Sequence, residues 1–255
     1  MQGSAQCRFY GLTPSVLNDL SALSLQIQGQ GVNNASHTSL TIQAGDAVAG
    51  MQTVFVGPVL ESWVDASGEP DVCLSVAATS GALGAVTAIP ATSFGAPVDA
   101  AVALAGIAKQ CGLNFERNGV SKIIPNGYLW GAVNQQVDKI CETASLEYTV
   151  DFTTSPPTLA IWPRGTARGT TISVISPATG MVGSPQFNAQ GVNVTLAFNP
   201  TIRFGETVQI QSQVLAACGR FFVTGVWHML ESETPGGAWF TTLACSVLPN
   251  MKPSM

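Results

Sequence analysis

Residues 180–212, GMVGSPQFNAQGVNVTLAFNPTIRFGETVQIQS, restrict the fold more than any other stretch. Val192, Val194, Leu196 and Phe198 alternate there with Asn193, Thr195 and Ala197. Successive side chains of an extended backbone point to opposite faces, so this period of two puts the apolar set on one side of a half-buried strand. Asn199-Pro200 ends that strand, Gly205-Glu206 reads as a tight turn, and Val208 and Ile210 resume the alternation against Thr207, Gln209 and Gln211. The pattern predicts one antiparallel hairpin. An echo lies 160 residues earlier, where TIQAGDAV (41–48) aligns with TIRFGETV (201–208). Residues 56–59 further match 224–227, and Leu74-Ser75-Val76 matches Leu243-Ala244-Cys245. One β unit is therefore expected twice, with a loop insertion near 214–219 absorbing the longer interval in the second copy.

The remaining segments fit around that repeat. Residues 1–90 read as strands: Leu23, Leu25 and Ile27 alternate before GQGVNN, Leu40 and Ile42 before Gly45-Asp46, and 53–64 form a longer run. Gly57-Pro58 inside that run implies an edge or a bulge, since proline donates nothing to a ladder. Residues 66–71 read as a turn, and Val72, Leu74, Val76 and Ala78 alternate after it. A small-residue connector, 81–96, then leads into helical periodicity. Pro97 opens a helix over 98–111 with Val98, Ala101, Val102, Ala105, Ala108 and Cys111 on one face and Gly112 as its stop. A second helix is expected over 128–144, burying Leu129, Val133, Val137, Ile140 and Ala144. Short strands follow at 113–116 and 147–152, the latter pairing with 159–162. From 166 the pattern returns to β, through Ile172 and Val174, the opening hairpin, 220–230, a loop at 231–237 and a last strand carrying Trp239, Thr241, Leu243, Cys245 and Val247; the tail 250–255 is expected to fray. The resulting division is a first β-barrel at 1–92, a small α+β domain with two helices at 93–165, and a second β-barrel at 166–255, with strand exchange between the barrels left open.

Composition narrows what such a chain does. An apolar fraction of 46% supplies a core, while only 10% of residues are charged, against about 25% in ordinary globular domains. An uncharged polar surface suits a subunit embedded in an assembly, and composition alone fits a low-charge soluble β-protein equally well. The net charge of −5 and the absence of any Lys/Arg cluster argue against phosphate-neutralising nucleic-acid binding. Such a surface lets DNA pass without adhesion. Cys7, Cys73, Cys111, Cys141, Cys218 and Cys245 form no C-x-x-C pair and no zinc spacing, and read as reduced thiols from a cytosolic site of folding. No apolar run reaches the roughly 18 residues of a membrane span, and residues 1–10 contain no apolar signal region.

The sequence offers no recognisable catalytic constellation. His37 and His228 are 191 residues apart with no G-x-S-x-G elbow, and both read as structural. Glu61, Asp65, Glu69 and Asp71 flank a turn and read as a solvated acidic face, as do Glu231 and Glu233. Trp63, Trp130, Trp162, Trp227 and Trp239 are assigned to cores or subunit contacts rather than sugar stacking. Gly180-x-x-Gly183 precedes no helix and is no phosphate loop. No catalytic, cofactor or metal site is assigned. The residues singled out are turns of the repeated barrel motif: Gly45, Asp46, Gly57, Gly183, Pro185, Gly191, Pro200, Gly205, Glu206 and Gly225.

The run Gly180-Met181-Val182-Gly183-Ser184-Pro185, then Gly191-Val192-Asn193-Val194, Leu196, Asn199-Pro200, Ile202, Gly205 and Val208-Gln209-Ile210 resembles the tail hub proteins of tailed bacteriophages, the baseplate hub or late-control protein D family. Residues 54–59, the helix ends at Gly112-Leu113 and Ser145-Leu146-Glu147, and 223–228 before Trp239 are similar as well. The resemblance implies two tail-tube-like antiparallel barrels joined by a two-helix segment. It also implies a homotrimer presenting six barrels in a pseudo-sixfold ring, which adapts a hexameric tail tube to a threefold spike around a DNA channel. Implied partners are the tail tube protein, a spike or tip protein, distal-tail or baseplate proteins and the tape measure protein, with DNA only as passing cargo and no membrane insertion. The implied location is the virion tail tip, assembled in the host cytoplasm. A tail-tube or distal-tail subunit, or a cell-wall hydrolase or carbohydrate-binding module, are the competing readings.

Overall fold

A computed structural model describes residues 3–29, 38–46, 48, 50–68, 70–81, 89–125 and 127–247. His37, Glu69, residues 82–88 of the 81–96 connector and the 250–255 tail lie outside these. The chain divides into two compact units: Met1–Phe115, Ile123–Thr143 and Thr149–Leu159 in the first, Glu116–Lys122, Ala144–Tyr148 and Ala160–Met255 in the second.

The first unit contains a four-stranded sheet of β1 (Ser4–Tyr10), β2 (Ser39–Asp46), β3 (Gly50–Asp65) and β4 (Cys73–Thr79), ordered β1-β4-β3-β2 with every pair antiparallel. β3 pairs with β2 along its first half and β4 along its second, and the register slips at Val54 and Leu60. Each slip adds an unpaired residue, which bends the strand and curls the sheet. Leu74, Val76, Ala78 and Phe55 are buried. Between β1 and β2 runs α1 (Pro14–Gly29), where the alternation of Leu23, Leu25 and Ile27 predicts a strand. Pro14 presets the first turn and Thr13 O accepts from Leu17 N. From there to Gln28 the chain has neither Gly nor Pro, so cooperative helix over four turns outweighs a three-residue alternation.

The expected pair of middle helices is present. The carboxylate of Asp99 caps α2 (Ala100–Gln110), accepting from Ala101 N at 2.8 Å. Its buried face is set by Leu104 and Ile107, whereas Val102, assigned to the buried stripe from sequence, is 61% exposed. Alanines on every side leave the phase of this helix open in the sequence, and the two largest side chains decide it. α3 (Val133–Ala144) buries the expected stripe of Val133, Val137, Ile140 and Ala144. It begins later than 128 because Tyr128–Leu129 is a short strand, β9, paired with Thr92–Ser93, β5. β6 (Val98–Asp99) pairs with β8 (Ile123–Ile124). A three-stranded sheet of β7 (Asn114–Arg117), β10 (Leu146–Asp151) and β11 (Thr158–Pro163), in the order β10-β11-β7, contains the predicted pairing of 147–152 with 159–162.

The second unit holds a six-stranded sheet, β12-β15-β16-β17-β14-β13, from β12 (Ile172–Ile175), β13 (Met181–Asn188), β14 (Gly191–Ala197), β15 (Thr207–Ile210), β16 (Gly219–Leu230) and β17 (Trp239–Ser246). Val192, Val194, Leu196, Val208, Ile210, Val223 and Leu243 are buried in its core, as the alternation requires. The predicted hairpin between 192–198 and 207–211 is not formed. β14 pairs with β13 and β17, and β15 with β12 and β16. The chain leaves β14 still attached to β17, Phe198 N donating to Trp239 O and Asn199 N to Thr241 Oγ1. Residues 198–206 thus carry it across the sheet and exceed the two to five residues or so of a hairpin loop.

The repeat exists at the level of connectivity. Strands β14, β15, β16 and β17 are ordered β14-β17-β16-β15, the same as β1-β4-β3-β2. Leu74 lies between Phe9 and Val64, and Leu243 between Val194 and Val226, so the match of Leu74-Ser75-Val76 with Leu243-Ala244-Cys245 holds in register. Two other matches do not. Thr41–Asp46 lies inside a strand while 201–206 is loop, and Val226 corresponds to Val64 rather than to Pro58. The expected insertion is present as residues 211–218, with a 3-10 turn at Leu215–Ala217, where the first copy has a tight turn between Asp46 and Gly50. The fold is mostly β, built on two curled half-barrel sheets.

Candidate functional site

The turn residues read from the sequence do not converge on one centre. Gly45 and Asp46 close the β2–β3 hairpin, where Asp46 Oδ1 accepts from Val48 N at 2.7 Å. Gly57 pairs with Leu40 within β3. Gly183 and Pro185 fall in the bulge of β13 between Val182 and Gln186. Gly191 starts β14, and Pro200 follows Asn199, whose side chain accepts from Thr201 N at 2.9 Å.

Gly205, Glu206 and Gly225 belong to two arrangements in the second unit. The first is a buried clasp. Arg168, 3% exposed, donates Nε to Glu116 Oε1 at 3.0 Å and Nη2 to Oε2 at 2.6 Å, a bidentate pair of good geometry. Asn118 Nδ2 donates to the same Oε1. Arg168 N donates to Gly205 O at 2.6 Å and Gly205 N to Val223 O, tying the segment before β12 to the sheet. Gly205 has φ +85°, and a Cβ there would stand 2.8 Å from the ring of Trp162, which is wholly buried. Arg168 and Asn118 hold the Glu116 carboxyl below its ordinary pKa, the arginine hydrogen bond contributing most. Glu206, which accepts from Arg203 N, is pushed the other way by burial.

The second arrangement is the outward face of the six-stranded sheet. Trp227, Thr242, Thr195 and Val182 stand opposite one another across β16, β17, β14 and β13, and Met229, Phe240 and Ala197 form the next row. Trp227 is 58% exposed and Met229 64%, with Phe240 and Val182 also exposed. None of these residues is charged. Beneath the indole lies Gly225, where a Cβ would stand 2.5 Å from the Trp227 ring. The missing side chain lets the ring lie flat on its own strand, an aromatic covering a glycine. Trp227 and Gly225 are each legible in the sequence, but the row emerges only when four strands are in register.

The polar candidates are local. His228 Nδ1 lies 3.0 Å from Thr241 Oγ1 and the ring meets Phe198 edge-on, with burial lowering its pKa. Asp65 accepts from Ser67 N and Oγ, which lowers its pKa and makes it a turn carboxylate. Glu231 Oε2 accepts from Ala238 N across its loop. Among the described residues no His, Cys, Asp and Glu group is placed to hold a metal ion, all six cysteines are unbridged, and no helix is long and apolar enough to cross a membrane.

A family model described as baseplate hub gp41 matches residues 1–241. The chain belongs to the baseplate hub gp41 family. No curated protein matches it. Solved structures similar to this member of the family include three tail-related proteins. An E. coli protein, c3393, described as a component of the type VI secretion system with structural similarity to T4 bacteriophage tail proteins gp27 and gp5, is 9% identical at TM-score 0.57, covering 100% of this chain and 73% of that one. A tail protein of Neisseria meningitidis MC58 is 11% identical at TM-score 0.55, covering 82% and 87%. The 43 kDa tail protein of prophage MuSo2 from Shewanella oneidensis is 9% identical at TM-score 0.53, covering 98% and 88%. At such identities the likeness is one of fold, and it is the fold of phage tail and baseplate proteins.

Proposed function

We propose that three copies of this hub protein form a ring whose six sheets approximate sixfold symmetry, joining a hexameric tail tube on one side to a threefold spike on the other. The observation that carries this reading is the recurrence of one strand order, β1-β4-β3-β2 and β14-β17-β16-β15, within a single chain. Two alike sheets per subunit turn threefold into pseudo-sixfold symmetry without a second gene product. The uncharged row around Trp227 is assigned to a contact between subunits or with a neighbouring tail protein, because apolar aromatic surface of this kind marks interfaces. The ring surrounds a channel through which DNA passes, and the low charge of the chain keeps its wall from retaining phosphates. The role is structural, within the virion tail tip, beside tube, spike, distal-tail and tape measure proteins, after assembly in the host cytoplasm.

Native mass measurement combined with electron cryomicroscopy of the assembled particle tests this. A ring of three copies, each contributing two sheets, is the expected result. A ring of six copies with one sheet each facing the channel would overturn it.

A further inference from the structure

The two copies of the repeated sheet differ at their edges. In the second unit β14 is covered on its outer side by β13. Its counterpart β1 has no described strand on its outer side. The consequence is visible at matched positions: Val194, facing Leu243, is 1% exposed, whereas Phe9, facing Leu74, is 39% exposed and the adjacent Tyr10 59%. Ser80 N donates to Gly3 O, and the alternation of an antiparallel ladder then directs the backbone groups of Ala5, Cys7 and Phe9 to β4 and those of Gln6 and Arg8 outward. An edge of seven residues in unbroken register, without Pro, Gly or bulge, is a template for strand addition.

We propose that this edge is completed in the assembly by β12 of a neighbouring copy, pairing antiparallel with β1. The proposal rests on the trimeric ring described above. In a ring where the two sheets are related by pseudo-sixfold rotation, the β1 side of the first sheet meets the β12 side of the next copy's second sheet. β1 runs opposite to β4, β3 opposite to β4 and β2 opposite to β3, so β1 and β2 run in opposite directions. β15 corresponds to β2 and β12 is parallel to β15, so β12 arrives antiparallel to β1. The edge of β12 is matched in character: Ile172 is 39% and Val174 45% exposed. Ile175 O is bonded to Gln211 N, which turns the backbone groups of Ile172 and Val174 outward; Val174 O is already engaged by Thr179 Oγ1 at 2.9 Å, so the pairing falls to the remaining groups of Ile172 and Val174. Backbone pairing supplies affinity at such an edge, and the flanking apolar side chains supply the fit.

Amide hydrogen exchange on the full chain tests the pairing, comparing the assembled oligomer with protein diluted to the monomer. The amides of Gln6 and Arg8 are expected to slow by about a hundredfold on assembly, as groups in a ladder do relative to a frayed edge. Gln6→Pro removes one outward donor and leaves the bonds to β4 in place, so it is expected to weaken self-association by about tenfold, the worth of one hydrogen bond, without altering the melting temperature of the monomer. Gln6 and Arg8 amides that exchange equally fast in oligomer and monomer would overturn the edge assignment while leaving the ring intact, and so would a folded Gln6→Pro that assembles like the wild type. Wild-type protein that stays monomeric at high concentration would overturn the ring and the edge together. If Gln6→Pro fails to fold, the exchange measurement on wild-type protein decides alone.

Discussion

Arg168→Leu isolates the energetics of the buried clasp. The guanidinium is 3% exposed and forms both bonds of a bidentate pair with Glu116, whose side chain is 34% exposed. Removing the arginine leaves the Glu116 carboxylate with the bond from Asn118 and the weaker Coulombic influence of Arg203. Breaking a buried pair from one side costs about 3–5 kcal/mol. Because Glu116 retains partial access to water, which screens the charge, a loss of about 2–3 kcal/mol is expected, at or just below the lower bound of that range. At about 2–4 °C per kcal/mol for a protein of this size, the melting temperature falls by roughly 4–12 °C. The double variant Arg168→Leu/Glu116→Leu removes the stranded charge with its partner and is expected to recover more than half of the loss. Thermal melts of the wild type, both single variants and the double variant at pH 7 complete the cycle. The pH dependence follows from the lowered pKa of Glu116. Its stabilisation is present above the ordinary glutamate pKa and is lost as pH falls through the depressed one, so wild type and Arg168→Leu converge in acid. A single variant as stable as the wild type, or a double variant as poor as the single, would refute the clasp as a stabilising pair.

Two further substitutions examine the second unit. Gly225→Ala places a Cβ 2.5 Å from the Trp227 ring, so the indole must lift from the strand; a shift in tryptophan emission is expected with a loss of about 1–2 kcal/mol, and an unchanged emission spectrum would contradict the packing. His228 has a folded pKa held below 6.5 by burial, so the unfolded chain binds the additional proton and stability declines as pH falls below about 6.5. His228→Gln keeps a hydrogen-bonding group toward Thr241 while removing the titration, and denaturant titrations at pH 7.5 and 5.5 should show a smaller loss between the two pH values than in the wild type.

Strand existence was readable wherever alternation was long and the turn chemistry explicit. Val192, Val194 and Leu196, or Leu74, Val76 and Ala78, needed no more than period two to be placed on the buried face. Partner choice was not readable in the same way. Nothing in β14 says that its neighbour is β17 rather than β15, because pairing depends on where 198–206 carries the chain, and that path is fixed by bonds to Trp239 O and Thr241 Oγ1 some 40 residues away. The phase of α2 was hidden for a different reason: with alanine at 100, 101, 103, 105 and 108, the stripe is decided by Leu104 and Ile107, and spacing alone gives several equivalent answers. Arg168 carried no local signal at all. Its partner Glu116 lies 52 residues away in sequence, and the pair becomes visible only once Glu116 and the segment before β12 share one unit.

The same distinction bears on how the repeat should be understood. Thr41–Asp46 and 201–206 share letters but not structure, since one is strand and the other a loop closed by Gly205 and Glu206. Phe9 and Val194 share structure but not letters, each standing opposite the leucine at the centre of its sheet. Selection on a strand of a curled sheet constrains alternation and register while leaving the choice among apolar residues open, so chemical identity erodes faster than connectivity. Glycine and acidic turn residues are constrained more tightly, but they recur in unrelated turns for the same backbone reasons. An eight-residue match of turn-rich sequence is therefore weaker support for duplication than an order of four strands reproduced with a leucine in the same central position. That order comes with a difference in what flanks it: β13 lies beyond β14 in one sheet, whereas no described strand lies beyond β1 in the other.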